Sequence, residues 1–285
     1  ASVLSQQDFD PLVEFPPSAA PDKPKAVPFV QDLDSLTPEA AAEKLLRSNA
    51  ESNYFLVDAL IASVECGAIA PLRGRWLLAL RKRGGRLQRR QDLPAEAFWT
   101  AAELRREVAR LGPKRFGALF VVLSYRWLTK EHPDPDGFHL DIVADVLGLY
   151  LKETGSYSSE GSSPLTAAYA AAGLDWRTAD CALFWDFGSL YQSPRTGAQH
   201  ALFVLGLKAS NIWYGHALTV CWMQSELPAG FPGAPYEQSG WCFVEAAISA
   251  AVKEGGCRLD LGKRTKEAMD FAYTHDGNNL DNKLT

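Results

Sequence analysis

The sequence has no CxxC pair and no Cys/His cluster at zinc-ligand spacing, which leaves no metal centre spelled out. Its five cysteines are scattered and odd in number. Cys181, Cys221 and Cys242 lie inside apolar runs. They read as small buried hydrophobes in a reducing, intracellular compartment rather than as a disulfide framework. No apolar run reaches the ~20 residues that a membrane-spanning helix needs. No Gly-rich phosphate loop of the dinucleotide or nucleoside-triphosphate type occurs, and no GxSxG elbow. His132, His139, His200 and His216 stand apart, without an HxxxH pair, and no Ser or Cys has a His base beside it in a motif. No internal repeat is visible. Excess basic charge is lacking as well: the net charge is −5, which argues against a nucleic-acid binder as a whole.

What is present is ordinary globular composition: 285 residues, 47% hydrophobic and 22% charged, enough for one large domain or two smaller ones. The chain begins at Ala1 without Met. A cytoplasmic protein cut from a longer chain, or an organellar one after removal of a targeting peptide, would both begin in this way.

Residues 1–34 are Pro-rich and aperiodic, as in an extended arm that is disordered or lies along a partner. Residues 35–112 are expected to form a mainly helical N-terminal region. Thr37-Pro38-Glu39 opens a helix to about Asn49. A second amphipathic helix runs from about Asn53 to Cys66, with Gly67 as its stop, and Thr100 caps a third that Gly112 closes. Between them, residues 73–90 (RGRWLLALRKRGGRLQRR) hold eight Arg/Lys and no acid. Two readings stand: an anion or membrane-surface patch, or a strand or helix pair whose basic face is solvated or pairs with the chain's own acids. Gly84-Gly85 suggests a tight turn, as in a hairpin.

Residues 113–273 alternate buried-strand runs with helical patterns. GALFVVLSY, CALFWDF, HALTVCWMQ and the weaker CRLDLG read as strands. Helices are expected from Phe138, from Pro164 to Gly173, over GAQHALFVLGLKASN, over GWCFVEAAISAAV and over KRTKEAMDFAY, followed by a polar tail, 274–285. This alternation predicts an α/β fold, a parallel sheet with right-handed crossovers and helices on both faces.

In such a sheet, ligands sit beyond the carboxyl ends of the strands. The first strand delivers Ser124-Tyr-Arg-Trp127, the second Trp185-Asp-Phe187, the third Trp222-Met-Gln-Ser225. Trp127, Trp185 and Trp222 could stack on a planar base or pyridinium, or fill the layers between sheet and helices. Arg126 and Arg195 could neutralise phosphates. Glu131, Asp134 and Asp136 could hold a cation, or form a solvated loop. Glu245 stands out, because it is the only carboxylate or base in GWCFVEAAISAAV, an otherwise apolar helix. It shares a face with Trp241, four residues earlier. A lone carboxylate there is costly unless something pairs or uses it.

FVVLSYRW, LFWDF, the helix ending in Lys208-Ala-Ser210 before HALTVCWMQS, and YEQSGWCFVE resemble, in order, the boxes of TIR (Toll/interleukin receptor/resistance) domains. The fuller pattern is similar to a divergent algal and protist type. It covers about residues 116–263. An insertion of about residues 153–179 and the segment WYGHA depart from the pattern, and residues 1–112 lie outside it. The resemblance implies a flavodoxin-like sheet of five parallel strands. It also implies NAD as substrate, cleaved at the nicotinamide–ribose bond. Glu245, the Glu of Trp-x-x-x-Glu, would be the catalytic carboxylate. Tyr125, Arg126, Trp127 and Asp186 would line the site, with Trp185 and Trp241 as its aromatic walls and no metal. Other TIR domains are adaptors that self-associate, so a non-catalytic subunit, tied to a protein partner by its arm and its TIR-like surface, is the second expectation.

Overall fold

The computed structural model describes residues 37, 40, 54–112, 115–152, 163–253 and 257–264. The arm 1–34, most of the helix expected from residue 37, Asn53, the loop 153–162, the Gly255 stop and residues 265–285 lie outside these. The Thr37 hydroxyl does accept from the Ala40 N–H at 3.3 Å, as a helix cap should.

Five strands form one sheet: β1 (Leu72–Arg73), β2 (Phe120–Tyr125), β3 (Ala182–Phe184), β4 (Val220–Gln224) and β5 (Arg258–Asp260), in the order β1-β3-β2-β4-β5. The last four are mutually parallel. β1 runs antiparallel to β3, with Leu72 opposite Leu183, so the sheet is mixed rather than purely parallel. That edge strand comes from the N-terminal region. It covers the open side of β3 with two residues and leaves little free edge for another chain. The described part of the N-terminal region is therefore built into the same sheet through β1.

All six residues of β2 are buried, which is what a strand covered on both faces requires and why its sequence shows no alternation. The helices are α1 (Val57–Glu65), α2 (Gly74–Lys82), α3 (Ala101–Leu111), α4 (Phe138–Tyr150), α5 (Pro164–Ala171), α6 (Asp186–Ser189), α7 (Gly197–Gly215) and α8 (Gly240–Val252). The crossover helix α4 packs on α2 and α5, while α7 packs on α8 and α1. Because the chain steps from β2 to one side and then back past it, right-handed crossovers put these two groups on opposite faces.

Helix starts follow the local signals. Thr100, Ser163 and Thr196 each close a capping box at the start of α3, α5 and α7. Gly67, Gly112 and Gly173 take positive φ at helix ends. Several boundaries differ from expectation, among them the start of α1, at Val57 rather than about Asn53. The first strand begins at Phe120, after a 3-10 turn. The second ends at Phe184, so that Asp186 opens α6. Helix α7 continues through Trp213-Tyr-Gly215, and the third strand begins only at Val220, which makes His216 a helix cap and not a strand residue. The basic segment forms β1 and α2 with a turn at Gly84, and no hairpin. Its guanidiniums meet the chain's own acceptors. Arg73 pairs with Glu103 at 2.7 Å, Arg89 with Asp92 at 2.7 Å, Arg81 with Asp141, and Arg75 donates to the Ala179 carbonyl at 2.8 Å.

Trp185, Trp213 and Trp222 are completely buried and fill the layers between sheet and helices. Helix α7 approaches the 68–70 turn so closely that a Cβ on Gly206 would lie 2.8 Å from the Ala68 carbonyl oxygen and 2.5 Å from Leu190 Cδ2. Gly206→Ala should therefore cost about 1–3 kcal/mol despite alanine's better helix propensity. A denaturant midpoint equal to wild type would show that α7 can shift to make room.

Candidate functional site

The carboxyl ends of β2 and β3 open into a cavity of about 480 Å³, roofed by α7 and α8. It lies within the range of small-molecule sites, about 300–1,000 Å³. It is also where the strand order reverses, with β3 on one side of β2 and β4 on the other. Tyr125, Arg126, Trp127, Asp186, Trp241 and Glu245 all line it. Trp185 does not: it lies beneath the floor, edge-on to the Tyr125 ring at 5.7 Å between centroids. Trp222 likewise packs edge-on to Tyr150, inside the fold. Of the three strand-end tryptophans, only Trp127 faces a ligand space.

Two chains of hydrogen bonds organise the cavity. Successive residues of a strand point to opposite faces, so Ser124 and Tyr125 serve different ones. Ser124 Oγ donates to Glu245 Oε2 at 2.6 Å. The Tyr236 hydroxyl, 2.7 Å from Ser124 Oγ, continues this chain. Burial raises the Tyr236 phenol far above its ordinary range and keeps it a donor. Burial also pushes the Glu245 carboxyl up to about 8. The Ser124 bond opposes that rise, and the nearby Asp186 charge adds to it. Glu245 is thus mainly protonated at neutral pH in the free protein.

Asp186 organises the other side. Its Oδ1 accepts from the Tyr125 hydroxyl and the Phe187 N–H, both at 2.6 Å, and its Oδ2 accepts from Trp127 Nε1 at 2.9 Å. Burial raises its carboxyl, and these donors offset part of the rise. Asp186 fixes the two aromatic walls and acts as a positioning residue. The backbone between those walls is held from behind by His139, whose Nε2 meets the Arg126 carbonyl at 2.9 Å and whose Nδ1 meets the Gln224 amide nitrogen at 3.2 Å. The Gln224 donor assigns the proton to Nε2, and burial holds the ring neutral. Asp134, read from sequence as a possible cation ligand, instead accepts from the His139 and Leu140 N–H groups at the start of α4. Among the described residues no cluster of His, Cys, Asp and Glu could hold a metal ion.

The guanidinium of Arg126 donates to Ser239 Oγ at 3.3 Å, while its buried Nε has no partner. An orphaned buried donor costs about 1–3 kcal/mol, which an acceptor on a ligand would recover. Arg195 also lines the cavity, with its guanidinium 3.5 Å from the centroid of the Phe203 ring. Trp241 stands 72% exposed at the rim. The sequence pattern does not connect Tyr236 or Ser124 with Glu245.

No protein-family model, curated protein or solved structure matches the chain. The site's chemistry must therefore be read from its own geometry. It offers two buried carboxyls, Glu245 and Asp186, two guanidiniums, Arg126 and Arg195, and two indoles, Trp127 and Trp241, in a half-enclosed space.

Proposed function

We propose that the chain is a TIR-like domain that cleaves the nicotinamide–ribose bond of NAD, with Glu245 as the catalytic carboxylate. The observation that carries this reading is the position of Glu245, in the cavity at the carboxyl ends of β2 and β3, whose lining also includes Arg126, Trp127 and Trp241. The order of the four parallel strands along the sheet, second-first-third-fourth, is that of a flavodoxin-like fold and supports it.

The chemistry needs one carboxylate. Nicotinamide leaves a pyridinium as a neutral molecule, so no general acid is required. What remains is to stabilise the positive charge that develops on the ribose and to orient the attacking water, and an ionised Glu245 can do both. The protonated state of the free protein fits this task. A pyridinium beside the carboxyl favours its ionised form, so the charge is created where the substrate needs it. Arg126 is suited to the pyrophosphate or ribose oxygens, and the indole faces to the nicotinamide ring.

The test is nicotinamide release from NAD by concentrated protein beside Glu245→Ala. Release by wild type alone is expected. No release from folded wild type would overturn the reading. A second check uses Ser124→Ala. Losing the bond that lowers the Glu245 pKa should move the alkaline-rising limb of the rate to higher pH, leaving the plateau rate within about tenfold. An unmoved limb would mean that Glu245 ionisation does not control the rate.

One observation favours a second reading, a non-catalytic interaction module. Phe243 and Val244, on the outer side of α8, are 63% and 42% exposed beside Trp241. Contiguous apolar side chains of this kind mark contact surfaces. Under that reading the chain binds a protein partner or itself with no turnover, and removing residues 1–34 abolishes partner binding without unfolding the domain.

A further inference from the structure

A second cleft, of about 570 Å³, opens between the N-terminal region and the segment that follows α6. It does not include Glu245 or any residue of the first cavity's lining. Its lining mixes aliphatic and polar residues with three aromatic ones, Phe98, Trp99 and Tyr191. Two guanidiniums lie against them: Arg73, 4.4 Å from the centroid of the Trp99 ring and paired with Glu103, and Arg90. Arg90 NH1 donates to the carbonyls of Ala68 at 3.1 Å and Ser189 at 3.2 Å, and its guanidinium carbon lies 4.0 Å from the centroid of the Tyr191 ring. Among the described residues no carboxylate pairs with Arg90. Glu65, the only acid of the lining, is already neutralised by Arg105 at 2.5 Å. Burial pushes the Arg90 guanidinium below its ordinary value, and the neighbouring Tyr191 opposes that shift.

A guanidinium with two neutral acceptors keeps N–H donors in reserve, because it carries five in a fixed fork. Aromatic walls beside it favour a flat ligand body. We propose that this cleft binds a small planar organic anion, whose carboxylate or phosphate pairs with Arg90 and whose ring packs beside Phe98 and Tyr191. The site is separate from the NAD reading and does not depend on it. It adjoins the first cavity all the same, because Tyr191 forms a wall here while the next residue, Gln192, and Arg195 line the other. The two walls are tied by Gln91, whose side-chain amide nitrogen donates to the Gln192 carbonyl at 2.6 Å and whose amide oxygen accepts from the Gln192 N–H at 3.1 Å.

The experiment is calorimetric titration of the full chain with benzoate, AMP and inorganic phosphate, alongside thermal melts. Benzoate or AMP should bind with a Kd of about 1 mM or tighter, and phosphate at least about tenfold more weakly. Which of the two organic anions binds distinguishes a carboxylate from a phosphate ligand. Arg90→Met should abolish binding. Because Arg90 also ties two turns together, Ala101→Phe provides the second variant, filling the cleft from the first residue of α3. It should melt like wild type and bind neither ligand. The proposal is overturned if neither organic anion binds wild type, if either folded variant binds as well as wild type, or if phosphate alone binds as tightly as AMP and benzoate. Since the readout is binding, a failed NAD assay leaves it intact, and a failure here leaves the NAD assay intact.

Discussion

Glu245→Gln is expected to melt higher than wild type at pH 8 while releasing no nicotinamide from NAD. The sign follows from linkage. In the unfolded chain the carboxyl titrates near its ordinary value of 4.5, and in the folded protein it is pushed up to about 8. Between these pH values the folded state holds a proton that the unfolded state has lost, so stability is full below about 4.5 and declines as pH rises toward 8. The loss at pH 8 is on the order of 3–5 kcal/mol, at 1.36 kcal/mol for each tenfold shift in protonation. Glutamine keeps the shape and can still accept from Ser124, but it cannot ionise. It should recover much of that loss, about 2–4 °C in midpoint per kcal/mol, and the gain should vanish at pH 4. Melts of both proteins from pH 4 to 8 check it. A variant that is less stable at every pH would make Glu245 a structural anchor. A gain in stability joined to a loss of turnover is the mark of a strained functional group.

Asp186→Ala should be the most destabilising change in the cavity. It strips partners from the Tyr125 hydroxyl, the Trp127 indole N–H and the Phe187 N–H together. Each orphaned donor costs about 1–3 kcal/mol, and the costs overlap because the groups share one carboxylate. A loss of about 3–5 kcal/mol is expected from denaturant unfolding. Asp186→Asn should lose less stability. It should also let Glu245 titrate lower, because the Asp186 charge is one of the causes that raise Glu245. A pH–rate limb that moves down in the Asn variant would separate this electrostatic coupling from the positioning role, which a KM increase would report. If Asp186→Ala unfolds at the wild-type midpoint, the two walls do not depend on it.

Much of the fold was legible because its signals are local. The capping boxes at Thr100, Ser163 and Thr196 lie within four residues of chain, and each starts a helix where the pattern placed it. The buried runs of β2, β3 and β4 are long enough to be read as strands covered on both faces. The antiparallel arrival of β1 was not legible, because two residues carry no periodicity. The extension of α7 through Trp213 and Tyr214 was hidden by aromatic residues that suit a strand as well as a helix.

The sequence by itself determined the alternation of strands and helices and the anomaly of Glu245, a lone carboxylate in an apolar helix. Both follow from the order of polar and apolar residues along the chain, which folding cannot alter. Only the tertiary structure decided which tryptophans face a ligand space. Trp185 and Trp127 both lie just beyond the ends of strands buried on both sides, where no alternation carries over to tell the core side from the cavity side. Tertiary structure also decided what Glu245 does with its burial. Its hydrogen-bond chain joins Ser124 to Tyr236 across 112 positions, and its carboxyl is raised first by burial and then by an Asp186 brought near by packing. Desolvation and charge proximity are properties of space, and the chain acquires them only when the sheet brings its strand ends together.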